Sequence, residues 1–257
     1  MAAYAVMLES FAKLPYREWG RDVAEILGVH PVDANTRLRR QQGMVWDGLD
    51  QGQATALAAF LIEHGHPAGL VAEEDIAVPG RLRNCRNADV VQGAFELEDP
   101  YGHKTILAPE VVELAQAGWI EEEIDSFRGI PRSIFPPIAS GPEGMRVQGA
   151  EWSDPQRMEP LGWVLHLYCG GDEEECVRIV GQRFNYDYQG LLEGGWQERF
   201  GRLLADLGRV LPDDCLDAGY RLGMGLASKP PEEARYDSLD SMVDRAIWTL
   251  TLKRFEK

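Results

Sequence analysis

Two histidines separated by one residue are the first feature of this sequence that could do chemistry. His64 and His66 lie in the stretch IEHGHP, and imidazole nitrogens are common ligands of transition metals. A metal site needs further ligands, and no cysteine or other histidine lies near this pair in the sequence. Gly65 between them is typical of the left-handed residue that ends a helix. We therefore interpret the stretch as a helix end followed by a turn, and we predict no metal site there.

Cys169 and Cys176 form the second candidate pair, because they flank the turn-like stretch GGDEEE. If they face each other across two strands they could oxidise to a disulfide, provided that their separation and geometry suit one. As half of a zinc site they lack a second pair, since the other two cysteines and the histidines are scattered. The sequence favours buried, reduced thiols. Asp172 to Glu175 lack the alternating spacing of a calcium loop, so we predict a solvated turn there.

An alternating aromatic stretch could bind a ligand by stacking. Phe184, Tyr186 and Tyr188 occupy every second position, and each ring offers a face to a base or another flat ligand. The same alternation is typical of an extended segment that packs one side on a core. In an acidic protein we prefer the core interpretation.

The motifs of common enzyme classes are missing from the sequence. It contains no GxxxxGK[ST] phosphate loop, no GxGxxG after a strand, no GxSxG elbow and no HExxH zinc motif. The 42 acidic residues include many adjacent pairs, and adjacency alone selects none as a general acid or base. We therefore predict no catalytic residue, no cofactor-binding residue and no cofactor, and we favour a protein that is not an enzyme.

Net charge and hydropathy restrict the partners. The 257 residues carry a formal net charge of −16, which argues against nucleic acid as a partner. The cluster Arg37, Arg39 and Arg40 is then better interpreted as a solvated helix end. No apolar run approaches the roughly 20 residues of a membrane span, and the first residues are not expected to form a signal peptide. With no dense cysteine framework, we expect a cytoplasmic protein.

The elements that must position any site are clearest in the first third of the chain. Hydrophobic periodicity predicts the order strand, helix, helix, strand, helix, strand. Gly28 should end the first helix and Pro31 should begin the second. Ala34 and Leu38 should face inward, and Asp50 should cap the third helix.

A known family shares this pattern. The segment VAEILGVHPVDANTRLRRQQGMVWDGLDQGQATALAAFLIEHGHPAGLV, Val23 to Val71, resembles the C-terminal domain of the bacterial ribosomal stalk protein, which recruits translation factors. The resemblance covers about 70 residues of pattern and lengths, and it implies a bacterial origin and a βααβαβ fold.

The family docks its factors on basic residues of a helix pair, and this chain matches that feature only in part. Arg21 keeps one such position, whereas Ala24 and Asn35 replace two others. The family's dimerisation segment and hinge have no counterpart here either. Translation-factor binding is therefore not carried over, and we retain a docking face for an unidentified protein partner, with Arg21, Arg37 and Arg40 as candidate residues.

The remainder of the chain is predicted to form a second part. The basic, Pro- and Gly-containing stretch at 78–89 suggests a linker. Two hairpins should follow, with a short helix between them over PEVVELAQAG, and residues 129–149 should form a long loop. Apolar stripes predict amphipathic helices near 196–211 and 239–250. The stretches RFNYDYQGL, RFGRLLADLGRVLPD and RYDSLDSMVDRAIW resemble the C-terminal part of uncharacterised bacterial proteins, which implies no activity.

Together these patterns predict an α+β protein. A small βααβαβ stalk-like module at 1–77 precedes the linker at 78–89 and a mixed α+β domain at 90–257, in which antiparallel strands pack against C-terminal helices. The favoured function is a non-enzymatic, protein-binding adaptor. The alternatives are an enzyme with a site between the modules or under the 129–149 loop, and a structural or assembly component of undetermined oligomeric state.

Overall fold

The computed structural model describes residues 2–91, 93–121, 161–170, 176–187, 194–224, 230 and 232–256. It confirms the α+β class: helices and three separate sheets alternate along the chain. The predicted loop at 129–149, the acidic turn Asp172 to Glu175 and Tyr188 lie outside the described residues.

The first part of the chain, here called the N-terminal unit, follows the predicted element order. A three-stranded antiparallel sheet with strand order β2-β1-β3 carries three helices. Its elements are β1 (Tyr4–Leu8), α1 (Tyr16–Leu27), α2 (Pro31–Arg40), β2 (Met44–Leu49), α3 (Gln51–Glu63) and β3 (Ala68–Ala72).

The predicted helix boundaries are confirmed for local reasons. Gly28 ends α1 in the left-handed conformation, with φ of 67°. Pro31 occupies the first turn of α2. A backbone N–H there would have no acceptor within the helix, so proline loses no hydrogen bond. Asp50 caps α3 by accepting from the Gln53 backbone N–H, and the Gln53 side chain reaches back in a capping box.

The central sheet of the rest of the chain has five strands. Its order is β11-β8-β9-β10-β4, with antiparallel pairs in the middle and a parallel pair at each edge. The strands are β4 (Leu82–Cys85), β8 (Val112–Ile120), β9 (Gly162–Cys169), β10 (Cys176–Val180) and β11 (Arg235–Tyr236).

A third sheet is a three-stranded antiparallel meander. Its strands are β5 (Asn87–Val91), β6 (Ala94–Glu98) and β7 (Lys104–Leu107). The β6–β7 and β9–β10 hairpins confirm the two predicted hairpins.

Helices cover both faces of the five-stranded sheet. One face packs against α4 (Trp196–Leu207) and α5 (Ala218–Met224), and the opposite face packs against α6 (Leu239–Glu256). From α6, Met242, Ala246 and Leu250 are buried, which confirms its predicted apolar stripe. None of the helices in the described ranges is long and apolar enough to cross a lipid bilayer.

The predicted helix over PEVVELAQAG is wrong. Only Pro109–Val111 forms a short 3-10 turn, and Val112–Ile120 is strand β8. This strand lies in the middle of the sheet with helices on both faces, so almost all of its residues are buried. A strand covered on both faces loses the alternating pattern by which a strand is recognised in sequence.

The interpretation of 78–89 as a linker is also corrected. This segment contains β4, which pairs with β10, and it runs directly into β5. Arg83 and Asn84 of β4 are exposed because the strand lies at the sheet edge. Exposed polar residues on a four-residue edge strand are hard to distinguish from a polar loop in sequence.

Candidate binding site between α2 and α6

The last helix connects the two parts of the chain. The Trp248 indole N–H of α6 donates to the Leu8 carbonyl of β1 at 2.7 Å. One turn later the Thr251 hydroxyl accepts from the Ala77 backbone N–H at 2.9 Å. Both contacts satisfy backbone groups of the N-terminal unit with α6 side chains. They hold α6 against the sheet face that α1 and α3 leave uncovered.

A groove runs between α6 and the end of α2, and we call it the α2–α6 groove. It is open to solvent and has a volume of about 520 Å³. Its described lining comprises Asp33, Thr36, Arg37, Arg40, Gln41, Gln42, Met44, Asp47, Asp244 and Ile247. The groove therefore combines residues that are about two hundred positions apart in the sequence.

The wall formed by α2 and β2 carries two arginines in different states. Arg37 pairs with Asp47, and its guanidinium lies over the Trp46 ring, 5.2 Å from the ring centroid. Arg40 is exposed and forms no ion pair with a described residue. Arg37 is thus held in place by its neighbours, whereas Arg40 is free to meet a ligand.

The opposite wall, on α6, is acidic. Asp240 and Asp244 lie one helical turn apart, so both project from one face. Burial raises the pKa of Asp244, and the nearby Asp240 carboxylate adds to that shift. A neighbouring recess of about 540 Å³ continues the groove past Arg40 and Asp244. Its described lining is Arg39, Arg40, Glu121, Asp237, Ser238, Asp240, Ser241 and Asp244.

Two of the three arginines predicted to dock a partner lie in this groove. Arg37 and Arg40 line it together, whereas Arg21 is an exposed residue of α1 and is not among its lining residues. Sequence reasoning missed the acidic wall. The spacing of Asp240 and Asp244 places them on one helix face, but no local signal indicates that this face turns toward α2.

His64 and His66 lie in an aromatic cluster. Both rings meet the Trp19 ring edge-on, with centroid distances of 5.0 Å and 5.3 Å. The His64 Nδ1 is 2.7 Å from the Phe60 carbonyl oxygen, within hydrogen-bond distance. Gly65 has a φ of 82°, as expected for the residue that ends α3. Within the described ranges, no group of three possible ligands is placed to hold a metal ion, here or elsewhere.

Cys169 and Cys176 do not face each other. In the β9–β10 register Val177 lies opposite Leu167, so Cys176 falls opposite Tyr168 and Cys169 is one position out of step. Adjacent positions of a strand point to opposite faces of a sheet. Accordingly Cys169 packs into the core beneath α4, and Cys176 packs beneath α6. Both side chains are buried, and this geometry excludes the disulfide considered from the sequence.

The core interpretation of the aromatic stretch is confirmed for its described members. Phe184 and Tyr186 are buried in the main core, with ring centroids 5.0 Å apart. The Tyr186 hydroxyl donates to the Gly181 carbonyl at 2.8 Å. Neither ring is available to stack on a ligand.

A row of polar side chains crosses the sheet face beneath α6. Arg178 Nε donates to His166 Nε2 at 2.9 Å, and His166 Nδ1 is 2.8 Å from the Tyr168 hydroxyl. Because arginine only donates, Nε2 is the acceptor and the proton of the neutral ring is on Nδ1. Burial, aided by the Arg178 charge, keeps the pKa of His166 well below its ordinary value. This neutral histidine is fully buried, so the row stabilises the sheet and does not form a site.

Compared with known proteins, the chain matches no family model, no curated protein and no solved structure. The α2–α6 groove is open to solvent, and charged residues line both of its walls. Such a surface suits recognition of a polypeptide more than enclosure of a small substrate, since small-molecule pockets are mostly apolar and concave.

Proposed function

We propose that this protein is a non-enzymatic binding or adaptor protein that docks a polypeptide segment in the α2–α6 groove. The observation that supports this most is that Arg40 of α2, which forms no ion pair with a described residue, lines the same open surface as the carboxylates of α6. Arg40 stands on one wall and Asp240 and Asp244 on the other, at an open surface. Opposed charges fix the register and direction of a bound chain.

The net charge of the groove indicates the charge of the segment that it binds. The groove and its neighbouring recess are lined by three arginines and six carboxylates, a net charge of −3, and Arg37 is already paired with Asp47. A segment with an excess of Lys and Arg matches this surface. An acidic residue placed to meet Arg40 would add specificity.

The resemblance of Val23 to Val71 to the stalk-protein domain also supports the proposal, because that domain recruits protein factors. We carry over from that family only the general role of α2 in docking, because Ala24 and Asn35 replace two of its basic residues. Nucleic acid and membrane surfaces fit poorly as partners of a chain with a net charge of −16. All four cysteines are buried and none forms a disulfide with a described residue, which suits a reducing compartment, and we place the protein in the cytoplasm.

Affinity capture with charge-reversal variants tests this function. The tagged protein and the variants Arg40→Glu and Asp244→Lys are incubated with the same cell extract, and captured proteins are quantified by mass spectrometry. We expect a partner that the parent protein retains and both variants lose, because Asp244→Lys repels the Lys and Arg residues of the partner and Arg40→Glu repels the acidic residue that meets Arg40. Arg254→Glu, which changes an exposed arginine of α6 that does not line the groove, is the matched control and should retain the partner.

Two outcomes would contradict the proposal. The first is that charge reversal leaves every captured protein unchanged. The second is that capture fails while a native mass that is a multiple of 28.7 kDa is lost on Asp244→Lys, which would indicate a component that assembles with itself.

A further inference from the structure

A second, smaller cavity adjoins the α2–α6 groove and the neighbouring recess, and it shares Gln41 and Gln42 with the groove and Arg39 and Asp237 with the recess. Its volume is about 250 Å³, room for about eight waters at 30 Å³ each. It lies between the N-terminal unit and the segment that leads into α6. The charged residues of its described lining are Lys13, Arg39, Glu232, Arg235, Asp237 and Arg245.

This cavity is positive in an acidic protein. Four cationic and two anionic side chains line it, for a net charge of +2 against −16 for the chain. Lys13 pairs with Glu232, and Arg235 approaches Glu121 at 3.9 Å outside the cavity lining. Arg39 and Arg245 remain, with only Asp237 as an opposing charge in the described lining.

Arg245 is held in an unusual environment for a cation. Its guanidinium carbon lies 3.1 Å from the centroid of the Phe11 ring, and the Nη2 group donates to the Gln42 side-chain carbonyl at 3.0 Å. Its Nε is buried and has no hydrogen-bond partner among the residues that the structure describes. Among the described residues, Arg245 forms no ion pair with any carboxylate. A partly buried charge without a counterion is unfavourable, and a bound anion would relieve that cost.

The carboxylate that acts electrostatically on Arg245 is a weak counterion. Asp217 has a pKa raised to about 7 by burial. Its Oδ1 already accepts from the Tyr220 and Ala117 backbone N–H groups, at 2.6 Å and 3.2 Å. The protein therefore provides only part of the negative charge that Arg245 favours.

We propose that this cavity binds a small phosphate-bearing anion through Arg245 and Arg39. A phosphate group carries a charge of about −1.5 to −2 at pH 7, close to the net charge of the lining. Guanidinium groups bind such oxyanions through two parallel hydrogen bonds. The volume accommodates the phosphate with a few further atoms, so the ligand is inorganic phosphate or a compact phosphate ester. This site goes beyond the proposed adaptor function, because it needs no protein partner.

Thermal unfolding and titration calorimetry of the full chain test the site. Inorganic phosphate is compared with sodium chloride at the same ionic strength, and then with glycerol phosphate. We expect phosphate to raise the melting temperature where chloride does not, and a tighter complex with the ester would indicate a metabolite in place of the free ion. Arg245→Gln and Arg39→Gln should each weaken phosphate binding by about tenfold or more. Arg254→Gln removes an exposed charge from α6 outside the cavity and should bind like the parent protein.

If Arg245→Gln does not fold, Arg39→Gln still tests the site. Arg39 is exposed on α2, so its replacement should not prevent folding. Phosphate and chloride acting equally on the parent protein would overturn the proposal, and so would unchanged binding by Arg39→Gln. Partner capture in phosphate-free buffer is a separate measurement, so failure of the anion site and failure of the adaptor function are distinguishable.

Discussion

The Trp248 ring lies directly on the backbone of Gly43. A Cβ added at Gly43 would be 2.3 Å from Cδ2 of that ring, closer than any real contact allows. Gly43 also has a φ of 104°, a conformation that other residues rarely adopt. The corner between α2 and β2 therefore needs glycine both for its own backbone and for the docking of α6.

Replacement of Gly43 by alanine should destabilise the fold strongly. We expect about 2–4 kcal/mol lower free energy of unfolding, from backbone strain and from the clash with Trp248. Gly65→Ala is the matched control, because Gly65 has a φ of 82° but no atom within 4 Å of the added Cβ. It should cost about 1 kcal/mol. Urea unfolding measures both, and equal losses would show that the ring does not press on Gly43.

Thr251 connects α6 to Ala77 through its hydroxyl oxygen. Thr251→Val should leave the Ala77 N–H buried and unpaired, lowering the free energy of unfolding by about 1–3 kcal/mol. Thr249→Val is the control, because the Thr249 hydroxyl donates to the Arg245 carbonyl within the same helix. Chemical denaturation should show a clearly smaller loss for Thr249→Val. A loss as large as that of Thr251→Val would argue against the contact with Ala77.

The buried carboxyl of Asp217 should make stability depend on pH. Its pKa is raised to about 7 in the folded protein, whereas 3.8 is the ordinary value expected on unfolding. At a pH between these two pKa values, the Asp217 carboxyl is deprotonated in the unfolded chain but still protonated in the folded protein. Stability from this group therefore falls as pH rises from about 4 to 7, on the order of 1 kcal/mol per pH unit.

Asp217→Asn should remove this part of the pH dependence and stabilise the protein at pH 8. Its side-chain oxygen can still accept from the Tyr220 and Ala117 N–H groups. Asp213→Asn, at an exposed aspartate nearby, is the control. Melting temperatures at several pH values measure the effect, and a parallel pH profile for Asp217→Asn and the parent protein would refute it.

His166 should stay neutral across physiological pH. Its burial and the Arg178 charge both lower its pKa, so its ¹⁵N signals should not titrate between about pH 5.5 and 8, where an ordinary histidine does. They should also show the proton on Nδ1. In Arg178→Met the second cause is removed and the pKa should rise. A midpoint near pH 6.5 in the parent protein would contradict the buried geometry.

Sequence reasoning worked best where elements are defined by neighbouring residues. Ala34 and Leu38 of α2, and the apolar stripe of α6, face inward as their spacing predicts. Gly28, Pro31 and Asp50 end or begin helices through contacts within a few residues. Such signals depend only on the local backbone, so they can be recognised in the sequence before the fold is known.

The same reasoning failed where tertiary packing overrides the local pattern. Val112–Ile120 looks helical because helices cover both faces of the strand it forms. Cys169 and Cys176 look paired because they flank one turn, yet the strand register places them on opposite faces. A shift of the strand register by one residue moves every side chain of that strand to the other face of the sheet. The spacing of residues in the sequence does not define this register.

By itself, then, the sequence determined the α+β class, most helix and strand boundaries, and the acidic net charge. Only the tertiary structure decided where α6 docks, and therefore that Arg40 and Asp244 line one groove and that Arg245 borders a positive cavity. The physical reason is that these contacts join residues about two hundred positions apart. Which residues come into contact depends on the packing of Trp248 on Gly43 and on buried hydrogen bonds. Neither of these leaves a local pattern in the sequence.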